Sequence, residues 1–489
     1  MTRSGNDYIE GLRDGRHVYI DGEVVRDVTT HPAFTGVIRS IAGLYDFAND
    51  PANRAEMTYP SPTTGDPVNL SYVIPRSGDD LRRRRTALRM STERSFGLIG
   101  RGPEHVASFL AGWAARSDIF QKSGQRYADN IVAFYEHARD NDLFCTYAIV
   151  PPQIDRSKPA HQQEDPYLYA GVKEEREDGI VVAGAQMLAT GAVVADYIIL
   201  TCILPLPEGD DNYAISVAVP LSAPGLRILS RRSYAEAASS VFDYPLASQF
   251  DETDSLAVFD DVFVPWNLVF AYKDRTLVAD QWNATPAHLL GNNQAQIRFA
   301  TKLDFLVGLA SRVTRMNRSE GNPAVKGVLG ELAAYASLIH GQLAAQEGEA
   351  EIDEFGVAWP ARASCFAVMV IQSDLYPKML HMVRDLAGGG VIQLPSSVED
   401  FRNPETRADL DRFVQSPGVT SLERVKLLKL LWDLVGSEFA SRHEQYEMFY
   451  AGAPFVVKMR MFQVFDFSRG DALVDRALAG YGIDGVVAS

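Results

Sequence analysis

Cysteine is scarce: three among 489 residues, at Cys145, Cys202 and Cys365. They lie 57 and 163 residues apart, which excludes CxxC-type metal or redox spacing and argues against a disulfide framework. No apolar run approaches about 20 residues, so no membrane span is expected. Basic residues are the minority, 47 Lys and Arg against 63 Asp and Glu, for a net charge of −16. That balance argues against nucleic acid or an anionic membrane as partner. GxGxxG after a strand, Walker A, HExxH, GxSxG and metal-spaced histidine pairs are all missing. Their absence argues against a Rossmann dehydrogenase, a P-loop enzyme, a zinc peptidase and an α/β-hydrolase, and no metal site is expected. Any cofactor must be held by scattered loops. Residues 1–15 are polar and charged, without a secretory apolar core, and the expected location is cytoplasmic.

Apolar residues make up 46% and charged residues 22%, as in a globular chain, and the length suggests two to four domains. Up to about residue 143 the pattern is mainly helical, with a hairpin at Asp21-Gly22. Short β-prone runs follow at 147–150, 179–187, 196–204, 212–219, 226–230 and 255–269, which predicts a compact β-barrel or sandwich. Helical periodicity returns at 294–316, 323–346, 358–384 and 421–449; Val425, Leu428, Trp432, Val435 and Phe439 mark one face of the last. The expected division is a helical domain over 1–143, a β-barrel over 144–274 and a helical bundle over 275–489. The basic run Arg82–Arg85 reads as a solvated face, and Trp113 and Trp432 as core. His443, Cys145 and Cys202 read as structural.

The rest of the chain is organised around Ser95-Phe-Gly-Leu-Ile-Gly-Arg-Gly-Pro-Glu-His105. Arg101 stands between two glycines, just before a helix opened by Pro103. A permanent cation and a helix N-terminus suit an oxyanion or a phenolate. His105, in the first turn, is the side chain that titrates near neutrality. The same residues also fit an ordinary helix cap with a solvated arginine and a surface histidine.

These segments resemble a known family nearly end to end. Asp14-Gly-Arg16, Asp27-Val-Thr-Thr-His-Pro-Ala-Phe34, Gly97–Glu104, Ala148-Ile-Val-Pro-Pro, Ile154-Asp-Arg156, Ser230-Arg231, Asp243-Tyr-Pro-Leu246, Phe250-Asp-Glu252, Val264-Pro-Trp266, Leu394-Pro-Ser-Ser397 and Arg442-His443 are similar to the oxygenase component of two-component aromatic hydroxylases, typified by 4-hydroxyphenylacetate 3-monooxygenase. The resemblance implies an α+β, acyl-CoA dehydrogenase-like fold: helical N-terminal domain, central β-barrel, C-terminal four-helix bundle. It also implies a homotetramer. FAD would arrive as FADH2 from a separate NAD(P)H-flavin reductase and form a C4a-hydroperoxide with O2. A phenol would then be hydroxylated ortho to its hydroxyl group.

Carried over residue by residue, the family arginine is Arg101. Where the family has Tyr this chain has His105, and where the family has His it has Tyr147. The resemblance therefore implies Arg101, His105 and Tyr147 as catalytic residues, with one base and one phenol having exchanged places. Arg101 and Tyr147 also count among the implied flavin contacts, with Gln153, Asp155, Arg156, Thr190, Ala192, Tyr450 and Gly452. Asp155 and Arg156 could instead form a structural ion pair. Arg298 could meet a pyrophosphate or lie on the surface, and Gly388–Gly390 could approach a phosphate or simply link helices. The acidic segment Leu206–Tyr213 falls where a substrate-covering loop is expected. Its Glu208, Asp210 and Asp211 would repel an arylacetate and favour a neutral or aminated phenol, such as a tyrosine derivative, free or tethered to a carrier protein. The alternatives weighed against this are an acyl-CoA dehydrogenase-type desaturase, an iron–sulfur dehydratase of related fold and a non-catalytic flavin-binding homologue.

Overall fold

A computed structural model describes residues 2–480. Helices lead, strands follow and helices close the chain. The strands form a six-stranded and a four-stranded sheet, and no closed barrel forms among the described residues. The larger sheet runs in the order Glu23–Val25, His17–Ile20, Leu226–Ser230, Ser255–Pro265, Gly179–Gln186, Gly171–Glu175. Its first two strands are the Asp21-Gly22 hairpin, and His17–Ile20 joins Leu226–Ser230 in parallel. The smaller sheet runs Val269–Tyr272, Ile215–Pro220, Tyr197–Leu200, Cys145–Ala148. An isolated bridge from Val150 to Met187 ties the chain leaving one sheet to the chain leaving the other.

The helix Ala287–Met316 is the axis of the molecule. It touches Gly78–Glu93, Pro103–Ala115, Pro323–Gly348 and Arg362–Ala387, and every residue from Ala287 to Leu303 is buried. Buried polar groups need partners, and most of those around this helix have them, although Arg84 Nε and Arg298 Nε do not. Asn293 accepts from Arg84 (2.9 Å) and donates to Gln346 (3.0 Å). Arg298 forms a fork with Glu447 through two bonds of 2.7 Å. Lys302 Nζ reaches Glu447 at 2.5 Å, and Gln372 donates to the same carboxylate at 2.6 Å. The Arg298 guanidinium also donates to Gly97 O at 2.8 Å, which anchors the Arg101 segment to the helix axis.

Several expectations change. The helix expected over 421–449 is two helices, Ser421–Val435 and Glu438–Phe449. Gly436 lies under Trp432, where a Cβ would come within 2.4 Å of the indole, and Ser437 caps the second helix by accepting from Ala440 N. Trp432 is partly exposed rather than core, whereas Trp113 is buried as expected. Arg84 departs from the solvated face assigned to Arg82–Arg85 and is fully buried. The strand Gly171–Glu175 went unread because Lys173, Glu174 and Glu175 give it the charged look of the sheet edge it occupies. No helix among the described residues is long and apolar enough to cross a membrane.

Removing the Glu447 charge leaves Arg298 and Lys302 buried without a counter-ion. Glu447→Gln is expected to cost roughly 3–5 kcal/mol, read as a lower urea midpoint. Although burial raises the Glu447 pKa, Arg298 and Lys302 more than offset this and hold it near about 2. The carboxylate therefore contributes stability above its ordinary 4.5, and that contribution is lost as pH falls toward 2. Urea midpoints measured across that window should fall more steeply for the parent than for Glu447→Gln.

Candidate active site

The segment before the helix Pro103–Ala115 is held from below by one carboxylate. Glu252 accepts from Gly100 N at 2.8 Å and from Arg101 N at 2.7 Å. Arg442 supports it, donating to Glu252 at 3.0 Å and gripping Asp254 at 2.7 and 2.9 Å. The Arg101 backbone is thereby fixed, and its side chain turns toward the helix. There Nη1 meets His105 Nε2 at 2.5 Å, and Nη2 donates to Tyr450 O at 3.1 Å. The guanidinium lies 5.2 Å from the Tyr147 ring centroid and 5.3 Å from that of Tyr446, a cation held between two π faces.

His105 is buried, not a surface cap residue. Its Nδ1 faces Gln294 Oε1 at 2.8 Å, and its Nε2 lies 3.3 Å from the Tyr147 hydroxyl. Burial, reinforced by the Arg101 charge, pushes the imidazole well below its usual pKa. Burial likewise raises the Tyr147 phenol, against the pull of Arg101. At neutral pH the site therefore offers one cation, one neutral imidazole and one neutral phenol. Because an amide oxygen only accepts, Nδ1 carries the proton and Nε2 is left as the acceptor.

Tyr147 and Thr190 arrive through neighbouring backbone. Tyr147 lies in the strand Cys145–Ala148, and Thr146 of that strand donates to Thr190 O at 2.6 Å. The Thr190 hydroxyl donates to Asp254 at 2.7 Å, so toward a ligand it can only accept. Ala192 is fully buried in a short turn after Gly191. Gly452 sits in an exposed turn beyond Tyr450.

The loop after Val150 stands apart, with no hydrogen bond or ring contact to Arg101, His105 or Tyr147 among the described residues. Gln153 and Arg156 are exposed. Asp155 accepts from Ser157 N and Oγ at 3.0 and 2.6 Å and lies 3.4 Å from Lys158, and the alternative Asp155–Arg156 ion pair does not form among the described residues. Arg298 is neither a surface residue nor free for a phosphate, since Glu447 occupies it. The acidic segment is also accounted for in part. Asp210 is buried, accepting from His161 N and Nδ1 at 2.8 and 2.7 Å, and Asp211 pairs with Arg275 at 2.8 Å. Neither carboxylate lies within hydrogen-bond or ion-pair reach of Arg101. A cavity of about 20 Å³ borders Pro103 and Glu104. It is far smaller than the roughly 150 Å³ that a benzene ring needs, so it is not the substrate pocket.

Sequence reasoning missed Gln294, Glu104 and Tyr446. Gln294 and Tyr446 are distant in sequence and carry no motif; Glu104 lies within the motif, without an assigned role. Glu252 and Arg442 stood within family-like segments without an assigned role.

A family model described as the N-terminal part of 4-hydroxyphenylacetate 3-hydroxylase matches residues 4–271, and its C-terminal counterpart matches residues 278–479. The chain belongs to this family. It is the oxygenase component of a two-component, flavin-dependent aromatic monooxygenase. Among its relatives is the oxygenase component of 4-nitrophenol 2-monooxygenase from Rhodococcus sp, 35% identical over 99% of this chain and 93% of the relative. Another, from Streptomyces globisporus, is a monooxygenase of (3S)-3-amino-3-(3-chloro-4-hydroxyphenyl)propanoyl-peptidyl-carrier protein, 35% identical over 92% of this chain and 85% of that one. A crystal structure of the oxygenase component of 4-hydroxyphenylacetate 3-monooxygenase with FAD and 4-hydroxyphenylacetate superposes with a TM-score of 0.92 at 32% identity, covering 98% and 100% of the two chains. The fold is also that of an archaeal 4-hydroxybutyryl-CoA dehydratase, with a TM-score of 0.89 at 24% identity. The α+β class expected from the sequence is the one observed, in the fold of the 4-hydroxyphenylacetate 3-monooxygenase oxygenase component, with two open sheets in place of the expected barrel.

Glu252→Ala frees two backbone N–H groups and loosens Arg101. Displacement of a charge-bearing group by about 1 Å is expected to lower kcat/KM for phenol hydroxylation roughly 10²-fold, with far-UV circular dichroism preserved. An unchanged kcat/KM would remove Glu252 from the positioning of Arg101.

Proposed function

We propose that the chain uses FADH2 and O2 to hydroxylate a phenol ortho to its hydroxyl group, with Arg101, His105 and Tyr147 meeting the phenol oxygen. The observation that carries this reading is their convergence: the half-buried Arg101 guanidinium and the Tyr147 hydroxyl both lie within hydrogen-bonding distance of His105 Nε2. Electrophilic attack on the ring drains electrons from the phenol oxygen and makes its proton acidic. Nε2 of His105 accepts that proton, Arg101 stabilises the negative charge left on oxygen, and Tyr147 donates to the same atom. The exchange of His and Tyr relative to the family pattern keeps both functions within one cluster.

Reduced FAD supplies the oxygen-activating chemistry when bound. The chain fits such a group. Ile154 and Leu188 are apolar and half exposed on segments joined by the Val150–Met187 bridge, and Arg156 is an exposed cation with no ion pair among the described residues. Gln153, Arg156, Thr190, Tyr450 and Gly452, with Arg101 and Tyr147, are the residues that would hold it. Asp155 would act by shaping its turn and Ala192 through buried packing. A separate NAD(P)H-flavin reductase would deliver the flavin.

For the substrate, a 4-hydroxyphenylacetate-like phenol and a tyrosine-derived phenol, free or carrier-tethered, are both in scope. The engagement of Asp210 and Asp211 elsewhere takes away most of the electrostatic ground for rejecting an arylacetate. We also infer a homotetramer. Phe455, Met459 and Phe462 are 68%, 57% and 69% exposed along the helix Pro454–Val464, an apolar face of the kind that subunits cover.

Anaerobic enzyme carrying reduced FAD, mixed with O2 and simple phenols, is expected to form catechols. Arg101→Ala should abolish product while leaving thermal unfolding unchanged; coupled turnover by that variant would sink the phenol-site reading. A His105→Tyr/Tyr147→His double variant is expected to recover activity above either single change. Phe455→Asp/Phe462→Asp is expected to lower the mass seen by light scattering, and an unaltered mass would remove this helix from the subunit interface.

A further inference from the structure

His105 alone cannot decide which of its nitrogens carries the proton, yet the proposed chemistry needs Nε2 bare. With the family's Tyr at this position no such choice exists, so the exchange creates a requirement that something else must meet. Arg101 Nη1, which can only donate, favours a bare Nε2 from the front at 2.5 Å, and the groups behind the ring fix the same tautomer from the other side. Gln294, fully buried on the helix axis, puts Oε1 at 2.8 Å from Nδ1, and its Nε2 donates to Glu104 Oε1 at 3.2 Å. The amide has only one workable orientation while Glu104 is charged. Reversed, its oxygen would face a carboxylate oxygen and its NH2 would face Nδ1. Glu104 is itself fixed. Its carboxyl folds back over Gly102, where a Cβ would lie 2.6 Å from Oε2, and its backbone oxygen accepts from Ser108 at 2.7 Å.

We propose that Glu104 and Gln294 are positioning residues that hold His105 as its Nδ1–H tautomer, so that Nε2 stays an acceptor for the substrate hydroxyl. This rests on the phenol-site reading above and deepens it. Neither residue reaches the substrate; both act through the imidazole. The arrangement also defines its own acid limit. Burial raises the Glu104 carboxyl to about 6. Once protonated, Glu104 can donate to the amide oxygen, the amide can turn, and Nδ1 then receives a proton from nitrogen. That places Nε2–H against Arg101. The other charged groups that act on the imidazole, Arg101, Arg84 and Arg298, are all guanidiniums and do not titrate in this range. Tyr147 is the remaining titratable neighbour, and it stays neutral.

The test uses FAD-loaded enzyme and 4-nitrophenol, whose phenolate is followed by difference absorbance. The parent is expected to bind the phenolate form with an apparent pKa below that of the free phenol. Gln294→Leu removes the acceptor that supports positive charge on the imidazole once Nε2 has taken the phenol proton, and should therefore raise this bound pKa by about one unit, a tenfold loss of preference for the phenolate. It should also lower kcat roughly tenfold or more with KM little changed. Glu104→Gln, which is nearly isosteric and guards against a folding failure, should shift the bound pKa the same way by less and remove the acid limb near pH 6. The double variant Glu104→Gln/Gln294→Glu rebuilds the chain with donor and acceptor interchanged and should return the bound pKa toward the parent value. A packing role alone would not produce that rescue. If both single variants bind 4-nitrophenol as the parent does while Arg101→Ala raises its bound pKa, the tautomer proposal is overturned and the phenol site stands. If Arg101→Ala also leaves it unmoved, the phenol site itself falls and the proposal with it.

Discussion

A guanidinium inside a protein must be answered by a carboxylate or by enough neutral acceptors to replace water. This chain buries or half-buries Arg101, Arg298 and Arg442 within one region, and its architecture follows from how they are answered. Glu447 on the helix Glu438–Phe449 takes Arg298 and Lys302. Glu252 and Asp254, just before the long strand Ser255–Pro265, take Arg442. Arg101 alone has no carboxylate on its side chain. Glu252 holds its backbone, while its guanidinium is given to His105, to Tyr450 O and to two aromatic faces. The ion pairs lock the helix Glu438–Phe449 to the helix axis and to the segment that enters the sheet, and they leave one cation available for chemistry.

The site is thus built from four parts of the chain that meet over the axial helix: the segment before Pro103, the strand of Tyr147, the segment around Glu252 and the helix of Tyr446. Each part alone is ordinary. The segment 95–105 is a helix start, the strand is a short edge of a four-stranded sheet, and the helix is amphipathic. Their convergence makes a neutral base next to a permanent cation, an arrangement that water would abolish by protonating the imidazole and screening the charge.

Much of this was legible in the sequence because it rests on local rules. Pro103 after Gly102 announced the helix start, Asp21-Gly22 announced its hairpin, and the run Leu226–Ser230 announced a strand that appears with the same limits. The identity of Arg101, His105 and Tyr147 came from family-like segments. What stayed hidden depends on distant partners. Arg298 and Arg84 look like surface arginines because nothing nearby in sequence reveals Glu447, Asn293 or Ser108. The break at Gly436 was masked by an apolar periodicity that runs straight through it; the steric demand of Trp432 becomes visible only in three dimensions. Asp210 reads as one more charge in an acidic loop, yet it is buried against His161.

That last contact bears on how such an enzyme can be modified. His161 and Asp210 fasten the segment that follows Val150 to the segment that follows Leu200, and the His161 ring packs within about 3 Å of where a side chain at Gly209 would begin. The two loops are therefore one mechanical part, although 49 residues separate the two anchors. Transplanting either loop from a relative would sever the fastening and leave a buried acid without its partner. A graft of either loop has to carry both, together with their shared His–Asp joint.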